Sequence, residues 1–387
     1  SSFRHGFSTN VPLLSPNTPE MDISALKDCV LAVSNHCRRR TISEPRLLEL
    51  PGPCHVLGDI HGNLLDLEFF ARCLWPAGPE AAAGNFLFLG DFVDRGKDSI
   101  AAIGYIMAMK ILNPKKWWMI RGNHETREVN GNIDHYQDGS FLRQCHRLFG
   151  EIDGQRVWET VNTFFDTLPL AASIDGKVFC VHGGIPRSLC TEEASLDMIR
   201  QVENPLRFAS NNRMVYDMLW SDPTPPARES QALDGEGFGQ SPRGSSCFGK
   251  QALEGFLEKY RFEHILRGHE AQKSGVGVNT DSRITTIFST SSDHFPGEIR
   301  ASCGSVLVEN GQMKPMVKKI DESPTLKPTY AGYVEPTDLP QQVHSYANLT
   351  SIPVAWNTVH PPGPQMQQFT SQLHGMAQPN PRYYYVG

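Results

Sequence analysis

At 387 residues the chain is long enough for one large or two medium domains with a well-buried core. Hydrophobic residues make up 39% and charged residues 20%, a globular composition diluted by something more polar. Its 36 Lys and Arg against 42 Asp and Glu leave a formal net charge of −6, which argues against a dedicated nucleic-acid binder. No run approaches the roughly 18–20 apolar residues that a bilayer span requires. Nine cysteines without a C-x-x-C pair fit a reducing compartment, so the expected location is intracellular, cytoplasmic or nuclear.

Residues 1–20 have no period and read as a flexible N-terminal segment. From Asp22 the apolar positions Ile23, Leu26, Val30 and Val33 give a helical pattern ending in Arg38-Arg39-Arg40, a basic helix end. A second short helix is expected over Glu44–Leu50, stopped by Pro51-Gly52-Pro53. Regular alternation follows: strand Cys54–Leu57, helix Leu64–Trp75, strand Phe86–Leu89, helix Ser99–Leu112 and strand Trp117–Ile120. Three such units in succession imply a parallel sheet covered by helices, with functional loops at the strand C-termini. Helices are expected over Phe141–Phe149 and Val157–Thr167. A hairpin is expected around Asp175-Gly176, and a buried helix over Met214–Trp220.

Pro223–Ser246 reads as a long Gly/Pro/Ser-rich loop. A helix over Lys250–Tyr260 then leads to strands at Ile265-Leu266, Gly275–Asn279, Arg283–Phe288 and Ser305–Val308, with Asn310-Gly311 closing the last hairpin. The expected fold is mixed α/β (α+β), two sheets face to face with helices outside. The domain plan is a flexible segment over 1–20, one catalytic domain over 21–320, and an irregular Pro/Gln/Tyr-containing tail over 321–387.

Five polar clusters sit just after five short apolar runs. They are Gly58-Asp59-Ile60-His61-Gly62, Gly90-Asp91-Phe92-Val93-Asp94-Arg95-Gly96, Gly122-Asn123-His124-Glu125, Val181-His182-Gly183-Gly184 and Arg267-Gly268-His269-Glu270. One Asp-Gly or His-Gly alone is a turn; five at five strand ends point to a metal site. Asp59, His61, Asp91, Asn123, His182 and His269 form a mixed N/O set too large for one tetrahedral ion, and imidazole favours transition metals. Asp91, central in chain order, can bridge two ions. Two ions about 3.5–4 Å apart hold and deprotonate a shared water and clamp an in-line displacement at phosphorus. The expected cofactors are two divalent or trivalent ions, manganese first, with iron or zinc as alternatives. His124 follows the ligand Asn123 directly, so its side chain should point away from that ion and act as general acid for the leaving oxygen. Asp94 is the candidate to orient it. Arg95 offers a planar fork for phosphate oxygens, with Arg243 and Arg267 as further basic candidates.

These motifs resemble the signature of the metal-dependent phosphoprotein phosphatases, over roughly residues 25–315. Trp220-Ser221-Asp222-Pro223 and Arg243-Gly244 ahead of Phe248-Gly249 also resemble family segments. The resemblance implies a metallophosphoesterase fold, a central β-sandwich flanked by helices, and serine/threonine phosphatase activity on phosphoprotein substrates, with a regulatory protein as a possible partner. By motif, Asp59, His61 and Asp91 would hold one ion, and Asp91, Asn123, His182 and His269 the other. His124 with Asp94 would be the acid pair, and Arg95 with Arg243 the phosphate clamps. Two segments depart from the family pattern: Asn130–Tyr136 replaces an Arg-x-Tyr-Gly-Phe-like stretch, and Ser289–Asp293 stands where Ser-Ala-Pro-Asn-Tyr is usual. A divergent member is therefore expected. The rival functions are hydrolysis of dinucleoside polyphosphates or capped RNA, against which Asp94-Arg95-Gly96 speaks, and an inactive scaffold.

Overall fold

The computed structural model describes residues 22–278, 283–291, 302–319 and 329–330. Residues 1–20, and the tail apart from Thr329-Tyr330, lie outside them. Helix α1 (Ile23–Thr41) starts at Asp22, whose carboxylate caps it by accepting from the Ala25 amide (3.0 Å), and it buries Leu26, Val30, Val33 and Cys37. The helix expected over Glu44–Leu50 is instead strand β1 (Leu47–Leu50). Its apolar run is too short for periodicity to separate the two forms, and Pro45 biases Glu44 toward extended backbone. Pairing decides: β1 runs parallel to β5 (Ala171–Ile174), with Leu47, Leu48 and Leu50 buried and Glu49 exposed.

The following units form as the pattern implies: β2 (Cys54–Leu57), α2 (Leu64–Leu74), β3 (Asn85–Phe88), α3 (Ser99–Leu112) and β4 (Trp117–Met119). Two short helical turns, α4 (Arg127–Asn130) and α5 (Ile133–Tyr136), precede α6 (Phe141–Phe149) and α7 (Glu151–Phe165). Helix α7 begins earlier than the apolar period suggests, because Gly150 turns the chain at φ +79° and Glu151 and Asp153 favour its first turn. After β6 (Val178–Val181) come α8 (Asp197–Arg200) and α9 (Arg213–Trp220). The stretch expected to be a loop over Pro223–Ser246 carries α10 (Pro226–Ala232) and a small sheet. That sheet joins β7 (Asp222–Pro223), β8 (Phe238–Gln240) and β9 (Ser246–Phe248) in the order β7-β9-β8. Buried Phe238 and Phe248 give it a core that its Gly/Pro/Ser composition conceals.

Helix α11 (Lys250–Tyr260), β10 (His264–Arg267), β11 (Val276–Val278), β12 (Ile284–Ile287), β13 (Cys303–Glu309) and β14 (Gln312–Lys319) complete the expected elements. A two-residue strand β15 (Thr329–Tyr330) pairs with the end of β14. Asn310 and Gly311 close β13–β14 at φ +53° and +73°, the double positive φ that a tight hairpin needs.

Two six-stranded sheets result, ordered β1-β5-β6-β10-β12-β11 and β15-β14-β13-β2-β3-β4. Their facing sides bury Leu48, Val56, Leu87, Leu89, Ile120, Cys180, Leu266, Ile287 and Val306 in one core. The outer side of the second sheet, with Phe86 and Phe88, packs on α1, α2, α3, α6 and α7. The outer side of the first, with Phe179, Val181 and Ile265, packs on α9 and α11. Both faces of the central strands are dry, so their apolar runs are continuous rather than alternating. Each fully buried Leu, Val or Phe contributes on the order of 1.5–3 kcal/mol to that packing. At the strand C-terminal ends a bridge between Asp59 and Phe288 ties the sheets together. A Cβ on Gly58 would lie 1.9 Å from the Ile287 carbonyl oxygen, so only glycine permits this approach. No helix of the described residues is long and apolar enough to cross a membrane.

Candidate metal centre

The polar clusters leave the ends of β2, β3, β4, β6 and β10 and meet over the seam between the sheets. His61, Asp91, Asp94, Arg95 and His269 all hold positive φ (46°, 54°, 68°, 66° and 68°), an uncommon state for residues with a Cβ. Such strain persists where the surroundings over-determine it. Part of that constraint is Glu125, which the sequence places only as the end of a cluster. Its Oε2 accepts from the Asp91 (2.7 Å) and Gly122 (3.0 Å) amides, and its Oε1 from the Phe92 amide (2.9 Å). The β3 loop is thereby bolted to the β4 loop.

All six expected ligands come together, and all are buried or nearly so. His61 Nε2 lies 3.7 Å from Asp59 Oδ2 and 3.6 Å from Asp91 Oδ2. His182 Nε2 lies 3.3 Å from Asp91 Oδ1 and 2.8 Å from Asn123 Oδ1. His269 Nδ1 is 2.9 Å from the same Asn123 oxygen. The Nδ1 atoms of His61 and His182 face the Val93 and Leu89 carbonyls (both 3.0 Å), which places their protons there and turns the Nε2 lone pairs inward. Two donor groups share Asp91: His61/Asp91/His124 and Asp91/His182/His269. The first includes His124, which the sequence reading assigns to acid work rather than to a ligand. Asp59 Oδ2 is buried without a hydrogen-bond partner, an orphaned oxygen at the point where a cation would satisfy it. The donor set therefore fits one ion on each side of Asp91.

His124 Nδ1 is 2.7 Å from Asp94 Oδ2, and both side chains are fully buried. Asp94 Oδ1 is held in turn by the Phe141 amide (2.7 Å). Burial disfavours charge on His124, but Asp91 and Asp94 outweigh it and raise its pKa. Burial likewise opposes charge on His182, and Asp91 overrides it, lifting His182 to about 9. Burial, with His182 and Arg267 adding like charge, pushes His269 well below the usual histidine range. Burial and Asp91 raise Asp59 to about 6. Crowding of this kind, acids and imidazoles in a dry cleft, marks functional sites.

Arg95 stands beside the Asp94–His124 pair, its guanidinium 5.5 Å from the Tyr136 ring centre. Arg243 arrives from the turn between β8 and β9; its Nη1 lies 2.6 Å from His269 Nε2 and donates to Asp222 Oδ2 (3.1 Å). Arg267 is not a substrate-facing cation. It is fully buried and bound to Asp222, Glu270 and the Gly183 carbonyl. Two neighbours lie in segments that the sequence reading names but receive no role there. Tyr136 meets the His124 ring edge-on at 5.2 Å, and Asp222 joins Arg243 to Arg267. Tyr136 lies in the segment that departs from the family pattern, which is the signal that could have drawn attention to it. Of the other departing segment, Ser289 accepts from the Gly58 amide (2.8 Å) and Ser291 donates to Asp66 (2.7 Å); Ser292 and Asp293 lie outside the described residues.

A two-sheet sandwich with an Asp91-centred N/O cluster over its seam defines a metallophosphoesterase, a hydrolase of phosphoesters. Residues 53–273 match the model of the calcineurin-like phosphoesterases, and the chain belongs to that family. It is a divergent phosphoprotein-phosphatase-type member. It is similar to a protein serine/threonine phosphatase from Saccharomyces cerevisiae described as similar to human phosphatase PP5, with 26% identity and a TM-score of 0.64 over 78% of this chain and 92% of that one. It also shares its fold with a cold-active protein tyrosine phosphatase at 15% identity and a TM-score of 0.50, over 72% of this chain and 80% of that one.

Proposed function

We propose that this chain is a dimetal serine/threonine protein phosphatase that hydrolyses phosphate monoesters of phosphoproteins, with His124 as the general acid. The observation that carries the reading is the buried His124–Asp94 pair at 2.7 Å on the rim of the Asp91 cluster. Asp59, His61 and Asp91 would hold one ion, and Asp91, Asn123, His182 and His269 the other. The ions, when bound, supply an activated water and neutralise charge at phosphorus. Asp59 with its orphaned oxygen completes the first site, which leaves His124 Nε2 free for the leaving group. His124 then donates its Nε2 proton to the departing serine or threonine oxygen while Asp94 keeps the Nδ1 proton in place. Arg95 and Arg243 bind the non-bridging phosphate oxygens, the fork geometry suiting two contacts each. The Saccharomyces relative supports serine/threonine substrates.

The test is phosphate release by the manganese-loaded protein from phosphoserine, phosphothreonine and phosphotyrosine peptides and from a dinucleoside polyphosphate, with His124→Asn alongside. Turnover of the first two, falling about 10²–10⁴-fold in the variant with bound metal unchanged, is expected. Turnover of the dinucleotide alone would move the function to nucleotide or cap hydrolysis.

A further inference from the structure

Helix α9 presents Arg213, Tyr216, Asp217 and Trp220 at i, i+3, i+4 and i+7, a single stripe along one side. That stripe binds four successive residues, the last three of the turn between β8 and β9, which carries Arg243, and the first of β9. Tyr216 Oη donates to the Arg243 carbonyl (2.9 Å). Arg213 Nη1 donates to the Gly244 carbonyl (2.9 Å). Ser245 Oγ donates to the Trp220 carbonyl (2.9 Å). Asp217 accepts from both the Ser246 amide (2.8 Å) and Ser246 Oγ (2.9 Å), and its carboxylate is steadied by Arg213 Nε (3.0 Å). Gly244 sits at φ +82°, so the turn is a sharp one that needs external support.

The same helix ends at the metal cluster. Trp220 meets the His269 ring edge-on at 5.5 Å, and Asp222, just beyond the helix, accepts from Arg243 Nη1. Arg243 is thus fixed at both ends, its backbone by α9 and its guanidinium by Asp222. An arginine side chain that is 47% exposed would otherwise give up much rotamer freedom on binding an anion. The Asp222 contact restricts those rotamers, and the α9 anchor fixes the backbone from which the side chain reaches, so part of that cost is met before substrate arrives.

We infer that the Arg213–Tyr216–Asp217 face of α9 is the positioning element for Arg243, setting the phosphate affinity of the site without touching substrate. The inference rests on the reading of Arg243 as a phosphate clamp. Tyr216 and Arg213 are positioning residues in this scheme, and none of the motifs marks them.

The experiment uses the manganese-loaded full chain with p-nitrophenyl phosphate as substrate and inorganic phosphate as competing product. Tyr216→Phe removes one hydroxyl from a partly exposed side chain. It should raise both KM and the phosphate inhibition constant about 3–10-fold, the worth of one hydrogen bond, with kcat within about twofold. Tyr216→Phe with Arg213→Gln should raise both further, to about 10–30-fold, with bound metal unchanged; this double variant also leaves the buried Asp217 carboxylate without its counter-charge, so its melting temperature should fall and the assay is run well below it. Arg243→Ala, run in parallel, should exceed the double variant on both parameters. If Arg243→Ala raises them and the α9 variants stay within twofold of the parent, the positioning role is refuted while the clamp stands. An unchanged Arg243→Ala would refute the clamp reading and the inference with it. Variants that lose kcat and melting temperature while KM holds would mean α9 is only structural, which also overturns the proposal.

Discussion

Asp94→Asn changes one atom in the His124 pair, and the structure leaves the asparagine no good orientation. Asp94 Oδ2 faces His124 Nδ1 at 2.7 Å, and its Oδ1 accepts from the Phe141 amide at 2.7 Å. An asparagine that turns its oxygen to His124 sets its NH2 against the Phe141 N–H, donor against donor in a buried space. Turned the other way, it satisfies Phe141 but forces the His124 proton from Nδ1 to Nε2, and no anion remains to stabilise the imidazolium. The pair loses a charge-assisted bond of about 1.5–3 kcal/mol in either case. If that bond is made fully only when His124 is charged, kcat should fall by about 10–10²-fold. Bound metal should stay at the parental level, because Asp94 is not in the ligand set. Steady-state turnover of p-nitrophenyl phosphate, metal analysis and ¹⁵N shifts of the His124 ring make the assay. A kcat within threefold of the parent at full metal loading would refute the acid-pair reasoning.

Two further predictions concern the scaffold. Lys110 is fully buried, with its Nζ 2.5 Å from Glu44, 2.9 Å from the Trp117 carbonyl and 4.4 Å from the Trp118 ring centre. Glu44→Gln leaves that cation without its counter-charge and should cost about 2–4 kcal/mol in urea unfolding, whereas Lys110→Met with Glu44→Gln should recover most of the loss. A single Glu44→Gln within 0.5 kcal/mol of the parent, on the order of the scatter for surface changes, would contradict the buried-pair account. Burial, helped by Arg283, lowers His264 from 6.5 to about 4, so the folded chain keeps it neutral while the unfolded chain protonates it first. Stability should therefore be lost as pH falls from about 6.5 to about 4. The partial exposure of His264 reduces the expected loss to about 1–2 kcal/mol. His264→Gln, which can keep the bond to Thr285 (2.9 Å in the parent), should flatten that part of the stability curve; an unchanged slope would count against the assignment.

How much of this was legible in the chain depends on where each signal is stored. The central strands read directly, because Phe86 and Phe88 face helices while Leu87 and Leu89 face the other sheet, leaving no polar break in the run. The polar clusters read directly too: a strand end is where the chain leaves the dry interior, so Asp, Asn and His appear abruptly beside Gly. Order and spacing alone therefore marked Asp91 and the five other residues now seen around it. β1 could not be read that way, since Leu47–Leu50 becomes a strand only by lying beside β5. The small sheet could not either, for its few buried residues are scattered through turn-forming composition. Nor could residue chemistry by itself distinguish two arginines of similar promise; only the family resemblance singled out Arg243. Arg267 is consumed by Asp222, Glu270 and Gly183, while Arg243 is carried to the rim by a turn strapped to α9. Local chemistry is written in the order of residues; which side chain is spent on the fold and which is left to meet a ligand depends on neighbours far apart in the chain, and only the tertiary structure brings those together.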